Sequence, residues 1–322
     1  MKKKVIFTGL FIAVLFFIFG GNDGEDYYKQ GLAANKKKDY QQANELFEKS
    51  CDAGYVDGCS ALGVSYQEGE GVSIDYQKAN ELFEKSCSED SAYGCYNLGN
   101  AYDYGKGVEL DREKAAKFYE KANKLHEKAC SKGSAKSCYS LGYAYDHGEG
   151  VERDYKKSDK LYEKACNGGY GDGCLALGLS YWYQNDYKKA VKLYEKACDN
   201  GSATGCHNLG HAYEIEKGVK EDYKKAAKFY EKACNGGEVA GCNNLSILYG
   251  EGKGVKQDYK KRVEFLVKGC DGGDVDCCRF AGAAYWETFK DFPKSKKYHK
   301  KACDLGNLQS CLAVNQLELQ GY

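Results

Sequence analysis

Proline is nearly absent from this chain of 322 residues, since Pro293 is its one proline. Tryptophan occurs twice and methionine once. No proline- or serine-rich stretch therefore marks a linker between domains. Neither sign of charge is in excess, because 47 lysines and arginines balance 47 aspartates and glutamates. Loss of a leader containing Lys2, Lys3 and Lys4 would not create the basic surplus that binds nucleic acid. We expect one continuous domain with no nucleic-acid partner.

Cysteine, in contrast, is abundant, and 16 of the 17 cysteines form pairs eight residues apart. Successive pairs begin 32–43 residues apart, a period typical of solenoids of stacked supersecondary units. Cys277 is left over, so we expect it to be a free thiol or a bridge between chains. The pairs are Cys51 and Cys59, Cys87 and Cys95, Cys130 and Cys138, Cys166 and Cys174, Cys198 and Cys206, Cys234 and Cys242, Cys270 and Cys278, and Cys303 and Cys311.

Each period contains two helix patterns. An aspartate, a strong N-cap, precedes apolar residues at helical spacing, and the first cysteine closes that stripe. The second cysteine begins C-x-x-L-G-x-x-Y, in which we expect Gly99 and its equivalents to allow close helix approach. The pattern predicts an all-α fold of about seventeen helices, an αα-solenoid coiled into a right-handed superhelix. The aspartates are Asp39, Asp75, Asp111, Asp154, Asp186, Asp222, Asp258 and Asp291.

The cysteine spacing favours disulfides. A pair that spans a helix–turn–helix has one thiol in the last turn and one in the next first turn, which is within disulfide reach. Closing so short a loop stabilises the fold by about 2.5 kcal/mol in the chain-entropy model. Zinc is the alternative, but structural zinc sites use C-x2–4-C, and no C-x-x-C occurs here. Disulfides require an oxidising compartment.

The N-terminus predicts a route to that compartment. A basic start is followed by the apolar run Val5–Gly21, so we interpret residues 1–24 as a signal peptide. An uncleaved anchor is the alternative, because the cleavage site is poor. The absence of cysteine before Cys51 argues against a lipoprotein. We expect a secreted or periplasmic protein whose residues 25–322 form a single solenoid of about eight repeats with a C-terminal capping helix.

The motif A-x-x-L-G-x-x-Y-x-x-G-x-G-V-x-x-D-Y-x-K-A resembles the Sel1-like repeat, a relative of the tetratricopeptide repeat. The repeated cysteine pairs resemble the Helicobacter cysteine-rich protein (Hcp) family. Two repeats, around Trp182 and Trp286, lack the G-x-G-V loop. The resemblance implies disulfide-linked αα-hairpins. It also implies penicillin binding, candidate β-lactamase activity, or binding to host proteins.

An enzymatic function has little support in the residues. The chain contains neither S-x-x-K nor K-T-G, which serine β-lactamases use. His207 and His211 have zinc-ligand spacing but lack the glutamate of H-E-x-x-H. We therefore expect no metal and no cofactor, and we assign no catalytic residue. Weak β-lactam hydrolysis is the alternative function.

Variable positions on the C-x-x-L-G helices predict a ligand site. Comparison of the repeats separates constant packing residues from variable ones, which we expect to line a concave face. Asparagine there can pair with a peptide backbone through both its donor and its acceptor. The alternative is variation on a solvated face. The expected partner of this presumed monomer is a peptide, a protein or a cell-wall fragment. The candidate residues are Asn97, Asn100, Tyr139, Tyr143, His207, Asn208, His211, Asn243 and Asn244.

Overall fold

A computed structural model describes residues 23–322, and this part of the chain contains seventeen α-helices and no strand. The predicted signal peptide lies outside the described residues, except that its last two positions begin the first helix. No helix within residues 23–322 has the length and apolar character needed to cross a membrane. The helices are α1 Asp23–Lys36, α2 Tyr40–Asp52, α3 Val56–Glu68, α4 Tyr76–Ser88, α5 Ala92–Tyr104, α6 Arg112–Ser131, α7 Ala135–His147, α8 Tyr155–Asn167, α9 Gly171–Tyr183, α10 Tyr187–Asp199, α11 Ala203–Glu214, α12 Tyr223–Asn235, α13 Val239–Glu251, α14 Tyr259–Asp271, α15 Val275–Glu287, α16 Phe292–Asp304 and α17 Leu308–Leu319.

The helices alternate between the two predicted kinds. Even-numbered helices follow the capping aspartates and end near the first cysteine of a pair, whereas the odd-numbered helices from α3 onward carry the second. The aspartate carboxylates accept hydrogen bonds from first-turn backbone N–H groups, each worth about 0.5–2 kcal/mol. The predicted all-α repeat fold is confirmed. The capping residues are Asp39, Asp75, Asp111, Asp186, Asp222, Asp258 and Asp291.

The described residues form two compact units. The first holds the described chain as far as Lys132 together with Tyr143–Tyr155, and the second holds Gly133–Gly142 and Lys156–Tyr322. Within each unit, helices pack mainly against the preceding and following helix, as in a solenoid. The prediction of one continuous domain over residues 25–322 stays a prediction.

Disulfides join the end of an even-numbered helix to the start of the next odd-numbered one. In seven pairs the two Cα atoms lie 4.4–4.8 Å apart, and each pair has the predicted eight-residue separation. Cys130 and Cys138 each take part in a disulfide as well. Cys277 is the free cysteine among residues 23–322, as predicted, and its side chain is buried.

Glycines of the L-G motif allow aromatic rings to pack directly on the odd-numbered helices. A Cβ atom on Gly99 would lie 2.7 Å from Tyr119, and one on Gly210 would lie 2.8 Å from Tyr230. Gly178 has the same relationship to Tyr194, at 2.7 Å. The predicted role of these glycines in close helix approach is confirmed, since a side chain would occupy the space of the ring.

The tyrosine seven residues after the second cysteine also belongs to the packing between helices. Tyr102 stacks on Phe118 with ring centroids 5.6 Å apart, and Tyr249 stacks on Phe265 at the same distance. These contacts agree with the expectation that the repeated tyrosines pack between helices.

Candidate functional site

All nine side chains predicted to contact a ligand lie on odd-numbered helices. His211 is exposed and the other eight are half-buried. Contacts gather several of them into two polar clusters, one in each unit, while Asn97, Tyr139, His211 and Asn243 lie outside both. The residues are Asn97 and Asn100 on α5, Tyr139 and Tyr143 on α7, His207, Asn208 and His211 on α11, and Asn243 and Asn244 on α13.

The first group, which we call the Glu149 cluster, consists of Tyr96, Asn100, Tyr119, Tyr143 and Glu149. The Tyr119 hydroxyl donates a hydrogen bond of 2.6 Å to Asn100 Oδ1. Tyr96 packs its ring on Tyr119 with centroids 5.6 Å apart, and its hydroxyl is within hydrogen-bonding reach of Asn100 and Glu149. Tyr143 interacts with the same Tyr96 hydroxyl. Two predicted ligand residues thus surround a carboxylate that was not predicted.

The G-x-G-V loop positions Glu149. Asn123 on α6 donates a hydrogen bond of 2.6 Å from Nδ2 to the Glu149 carbonyl oxygen. Gly150 has a positive φ of 66°, and a Cβ atom there would lie 2.5 Å from the backbone nitrogen of Glu120. Because only glycine fits this approach without strain, the loop is held against α6 while the Glu149 side chain extends toward the tyrosines.

Burial controls the electrostatics of the Glu149 cluster. Loss of solvation is the main cause that raises the pKa of Glu149, with Asp103 acting in the same direction and His147 and Tyr96 opposing it. Burial also raises the pKa values of Tyr96 and Tyr119, so both hydroxyls stay protonated. Oε2 of Glu149 is buried without a hydrogen-bond partner. The cluster therefore offers a poorly solvated acceptor beside neutral phenols.

The second group, the His207 cluster, consists of His207, Asn208, Glu214, Tyr230 and Asn244. Asn244 Nδ2 lies 3.2 Å from His207 Nε2, and since the amide nitrogen only donates, Nε2 accepts. His207 Nδ1 lies 3.3 Å from Asn208 Oδ1, which can only accept. The Tyr230 hydroxyl donates a short hydrogen bond to Glu214. The partners define one neutral tautomer of His207, protonated at Nδ1.

Burial of His207 lowers its pKa, which agrees with a neutral ring. The rings of His207 and His211 are nearly parallel, with centroids 6.4 Å apart. Within residues 23–322, no group of three histidine, cysteine, aspartate or glutamate side chains is placed to hold a metal ion. His207 takes part in a hydrogen-bonded cluster in which Asn244 occupies its Nε2, and the His211 ring packs beside it.

Serine hydroxyls form a separate buried group in the first unit. Ser60 Oγ lies 3.0 Å from Ser86 Oγ and 3.2 Å from Ser91 Oγ, and Ser91 donates a 3.1 Å hydrogen bond to Asp57. All three serines are at most 4% exposed. Their partners are one another, nearby backbone groups and the Asp57 carboxylate, so this buried group contributes to the packing between helices.

Sequence comparison of the repeats missed Glu149, Tyr119, Glu214 and Tyr230. The rings of Tyr119 and Tyr230 on even-numbered helices pack against other rings, but their hydroxyls also bind polar groups. Glu149 occupies the x position of G-x-G-V, where other repeats carry Glu70 or lysine. Composition at that position gives no signal for burial.

Disulfide-linked αα-hairpins with a glycine under each aromatic ring define a helical repeat protein of the tetratricopeptide-like class. The Sel1 repeat family matches residues 22–55, 56–91, 92–126, 119–134, 135–170, 203–238, 239–274 and 277–307. A tetratricopeptide repeat also matches residues 174–199. The chain belongs to the Sel1-repeat family.

Among curated proteins, the chain is similar to HcpC of Helicobacter pylori, a candidate β-lactamase by name, with 38% identity over 74 residues, or 22% of this chain and 25% of HcpC. It is 35% identical to H. pylori HcpA, named a β-lactamase, over 72 residues, or 22% of this chain and 29% of HcpA. The chain thus spans less than a third of these relatives. A solved Sel1 repeat protein from Oxalobacter formigenes shares the fold, with 21% identity, a TM-score of 0.58 and coverage of 96% of this chain and 92% of that chain.

Proposed function

We propose that this protein is an extracytoplasmic binding protein whose odd-numbered helices contact a peptide, a protein segment or a cell-wall fragment. The observation that supports this most directly is the division within α5. Cys95 and Leu98 are at most 4% exposed and pack in the core, whereas the neighbouring Tyr96, Asn97 and Asn100 stay partly accessible. One helix thus supplies both the scaffold and a polar face, as an interaction module requires.

The disulfides support the extracytoplasmic part of this proposal. Bridges in consecutive repeats persist in an oxidising environment and are rare where thiols are kept reduced. The predicted signal peptide would supply export, to the periplasm or to the exterior.

The names of the relatives favour a second candidate, hydrolysis of β-lactams. Serine β-lactamases need an activated nucleophile, and this chain contains no S-x-x-K. Help from a single acid or base contributes only about 10²–10⁴-fold, below the roughly 10⁶-fold at which enzymes begin. We therefore propose that a β-lactam, which resembles a peptide terminus, is bound at the same face with negligible turnover. Turnover of penicillin above about 1 s⁻¹ by the oxidised protein would contradict this.

Binding of end-blocked peptides and muramyl peptides to the oxidised protein tests the proposed function. Replacing Asn97, Asn208 and Asn244 together by alanine should weaken binding at least about tenfold, because each lost charge-neutral hydrogen bond contributes about 1 kcal/mol. The matched control replaces three exposed amides on even-numbered helices. They are Gln41, Gln77 and Asn167.

Neither variant removes a core side chain, so both should keep their helix content. The asparagine variant loses the contacts of Asn208 and Asn244 with His207 and should unfold at a slightly lower temperature than the control. Undiminished binding by the Asn97, Asn208 and Asn244 variant, or an equal loss in the control, would move the site away from the odd-numbered helices. Absence of binding to every peptide and cell-wall fragment would contradict the proposed function itself.

A further inference from the structure

Glu149 carries a buried oxygen that no protein donor satisfies. Its Oε2 atom has no hydrogen-bond partner among the described residues, although the backbone of the same residue is fixed by Asn123. Leaving a charged acceptor desolvated and unpaired costs free energy, and folded proteins usually avoid it by pairing such groups. Within the Glu149 cluster, the Tyr96 hydroxyl is the one side-chain donor to this carboxylate, so its negative charge is incompletely compensated.

Aromatic rings border this carboxylate. Tyr96 and Tyr119 contact each other with centroids 5.6 Å apart, and both lie within interaction range of Glu149. Tyr143 also interacts with the Tyr96 hydroxyl through a hydrogen bond, and burial and the charge of Glu149 both raise the pKa of Tyr143. Tyr104, whose ring is 67% exposed, lies beside Tyr119 and Tyr143 and gives the group an edge open to solvent. Tyrosine faces attract organic cations.

The charge around Glu149 is acidic or weakly basic. The charged groups that act on it are Asp103 and His147. Asp103 already faces the exposed Arg112 at 3.8 Å. His147 directs Nδ1 toward the Tyr143 carbonyl oxygen, 3.0 Å away, and is exposed. No strongly basic side chain therefore neutralises Glu149 from within the first unit.

Other repeats carry a lysine at the same loop position. Lys106 and Lys253 occupy the x position of their G-x-G-V loops, and Lys217 has the same place in the related sequence E-K-G-V. All three hold their ammonium groups over tyrosine rings, 4.9–6.0 Å from the centroids. The protein thus repeatedly combines an ammonium group with tyrosine at this loop. At Glu149 the tyrosines are present together with a carboxylate, and among the described residues of the first unit no lysine or arginine acts on it.

We infer that the Glu149 cluster binds an organic cation of the ligand, namely an alkylammonium group such as a lysine side chain. The carboxylate is its counter-ion, and the rings of Tyr96, Tyr119 and Tyr143 contact its methylene stem. This inference rests on the proposed function, because it names the chemical class that the first unit selects in a peptide ligand. Glu149 is half-buried, and an ammonium group beside its carboxylate neutralises the charge that the Tyr96 hydroxyl alone leaves uncompensated.

Calorimetric titration at pH 7 with two blocked tripeptides tests this inference. The probes are acetyl-Gly-Lys-Gly-amide and its norleucine analogue, which keeps the stem and lacks the charge. The lysine peptide should bind the native protein about tenfold or more tightly than the norleucine peptide, and Glu149→Gln should remove that preference. Glu70→Gln is the matched control, since Glu70 has the same loop position and its carbonyl oxygen accepts from Asn44 at 2.6 Å.

Circular dichroism should show unchanged helix content in both variants, so a loss of binding is not a loss of fold. Equal affinity for the two peptides, an unaffected Glu149→Gln variant, equal losses in both variants, or no binding of the lysine peptide up to about 10 mM would each overturn the inference. If one of these results is found but neutral peptides still bind, the inference about Glu149 fails and the proposed function remains intact. Lysine binding that depends on Glu149 but not on Asn97, Asn208 and Asn244 would overturn only the proposed asparagine contacts.

Discussion

Cys277 on α15 fills the space that Gly269 on α14 leaves open. A Cβ atom built on Gly269 would lie 2.5 Å from Cys277 Sγ. The preceding repeat has the opposite arrangement, because Gly241 lacks the side chain and a Cβ atom there would lie 2.7 Å from that of Ala233. In the repeat with Cys277 the odd-numbered helix carries the side chain, whereas in the preceding repeat the even-numbered helix carries it. Both arrangements keep the helices close together.

This exchange predicts strong coupling between the two positions. Gly269→Ala should destabilise the protein by about 1–3 kcal/mol through overpacking. Cys277→Gly should also destabilise it, through a lost side chain and a helical glycine. The double variant recreates the Gly241 and Ala233 pair. Its loss in free energy of unfolding should therefore be smaller than the sum of the losses of the two single variants. Urea unfolding of all four proteins measures the coupling, and additive free energies would contradict it.

The thiol of Cys277 should be unreactive in the folded protein. It is 0% exposed, and burial is the main cause that raises its pKa. Alkylation requires the thiolate, so iodoacetamide at pH 8 should label the native, unreduced protein negligibly and add one group per chain after denaturation. Rapid labelling of the native protein, or a labelled peptide other than the one containing Cys277, would contradict the burial and the disulfide pairing.

Stability should depend on oxidation. Repeats contact mainly their neighbours, and each short disulfide loop contributes about 2.5 kcal/mol in the chain-entropy model. Complete reduction should therefore lower the midpoint of thermal unfolding measured by circular dichroism. The control is oxidised protein treated with the same concentration of oxidised reductant. An unchanged midpoint after verified reduction would show that packing alone holds the repeats.

Two helical glycines should respond differently to alanine. Gly210 lies under Tyr230, so Gly210→Ala should lose about 1–3 kcal/mol through overpacking. At Gly250 the nearest obstacle is the flexible Arg262 side chain, 3.0 Å from the built Cβ. Gly250→Ala should be neutral or stabilise by up to about 1 kcal/mol, because alanine favours helix. Equal free energies of unfolding for the two variants would contradict the close approach at Gly210.

The raised pKa of Glu149 predicts a pH-dependent stability difference. A carboxyl group whose folded-state pKa exceeds its unfolded value destabilises the fold as pH rises through that interval. In the absence of ligand, Glu149→Gln should unfold at the same temperature as the native protein below the ordinary glutamate pKa, and at a higher temperature at neutral pH. Glu70→Gln serves as the control. A Glu149→Gln protein that is less stable at neutral pH would show that the ionised carboxylate has a partner within the chain.

Much of this protein could be predicted from sequence because its determinants are local and repeated. Aspartate caps such as Asp222 and the eight-residue cysteine spacing act within one hairpin, and the glycine of the L-G motif acts on the helix that follows it, so these signals can be interpreted without knowledge of distant contacts. Repetition strengthens the prediction, because each repeat shows the same spacing again. The identity of Cys277 as the free thiol followed in this way from register alone.

The candidate site depended on contacts between repeats, which only the tertiary structure decided. His207 and Asn244 meet although 37 residues separate them, and Glu149 joins Tyr96 from a loop more than one repeat away. Whether a side chain on a variable position is solvated or buried depends on the neighbouring helices and loop. Sequence determined the scaffold through short-range spacing, whereas packing between hairpins decided which polar groups lost water and therefore acquired perturbed pKa values.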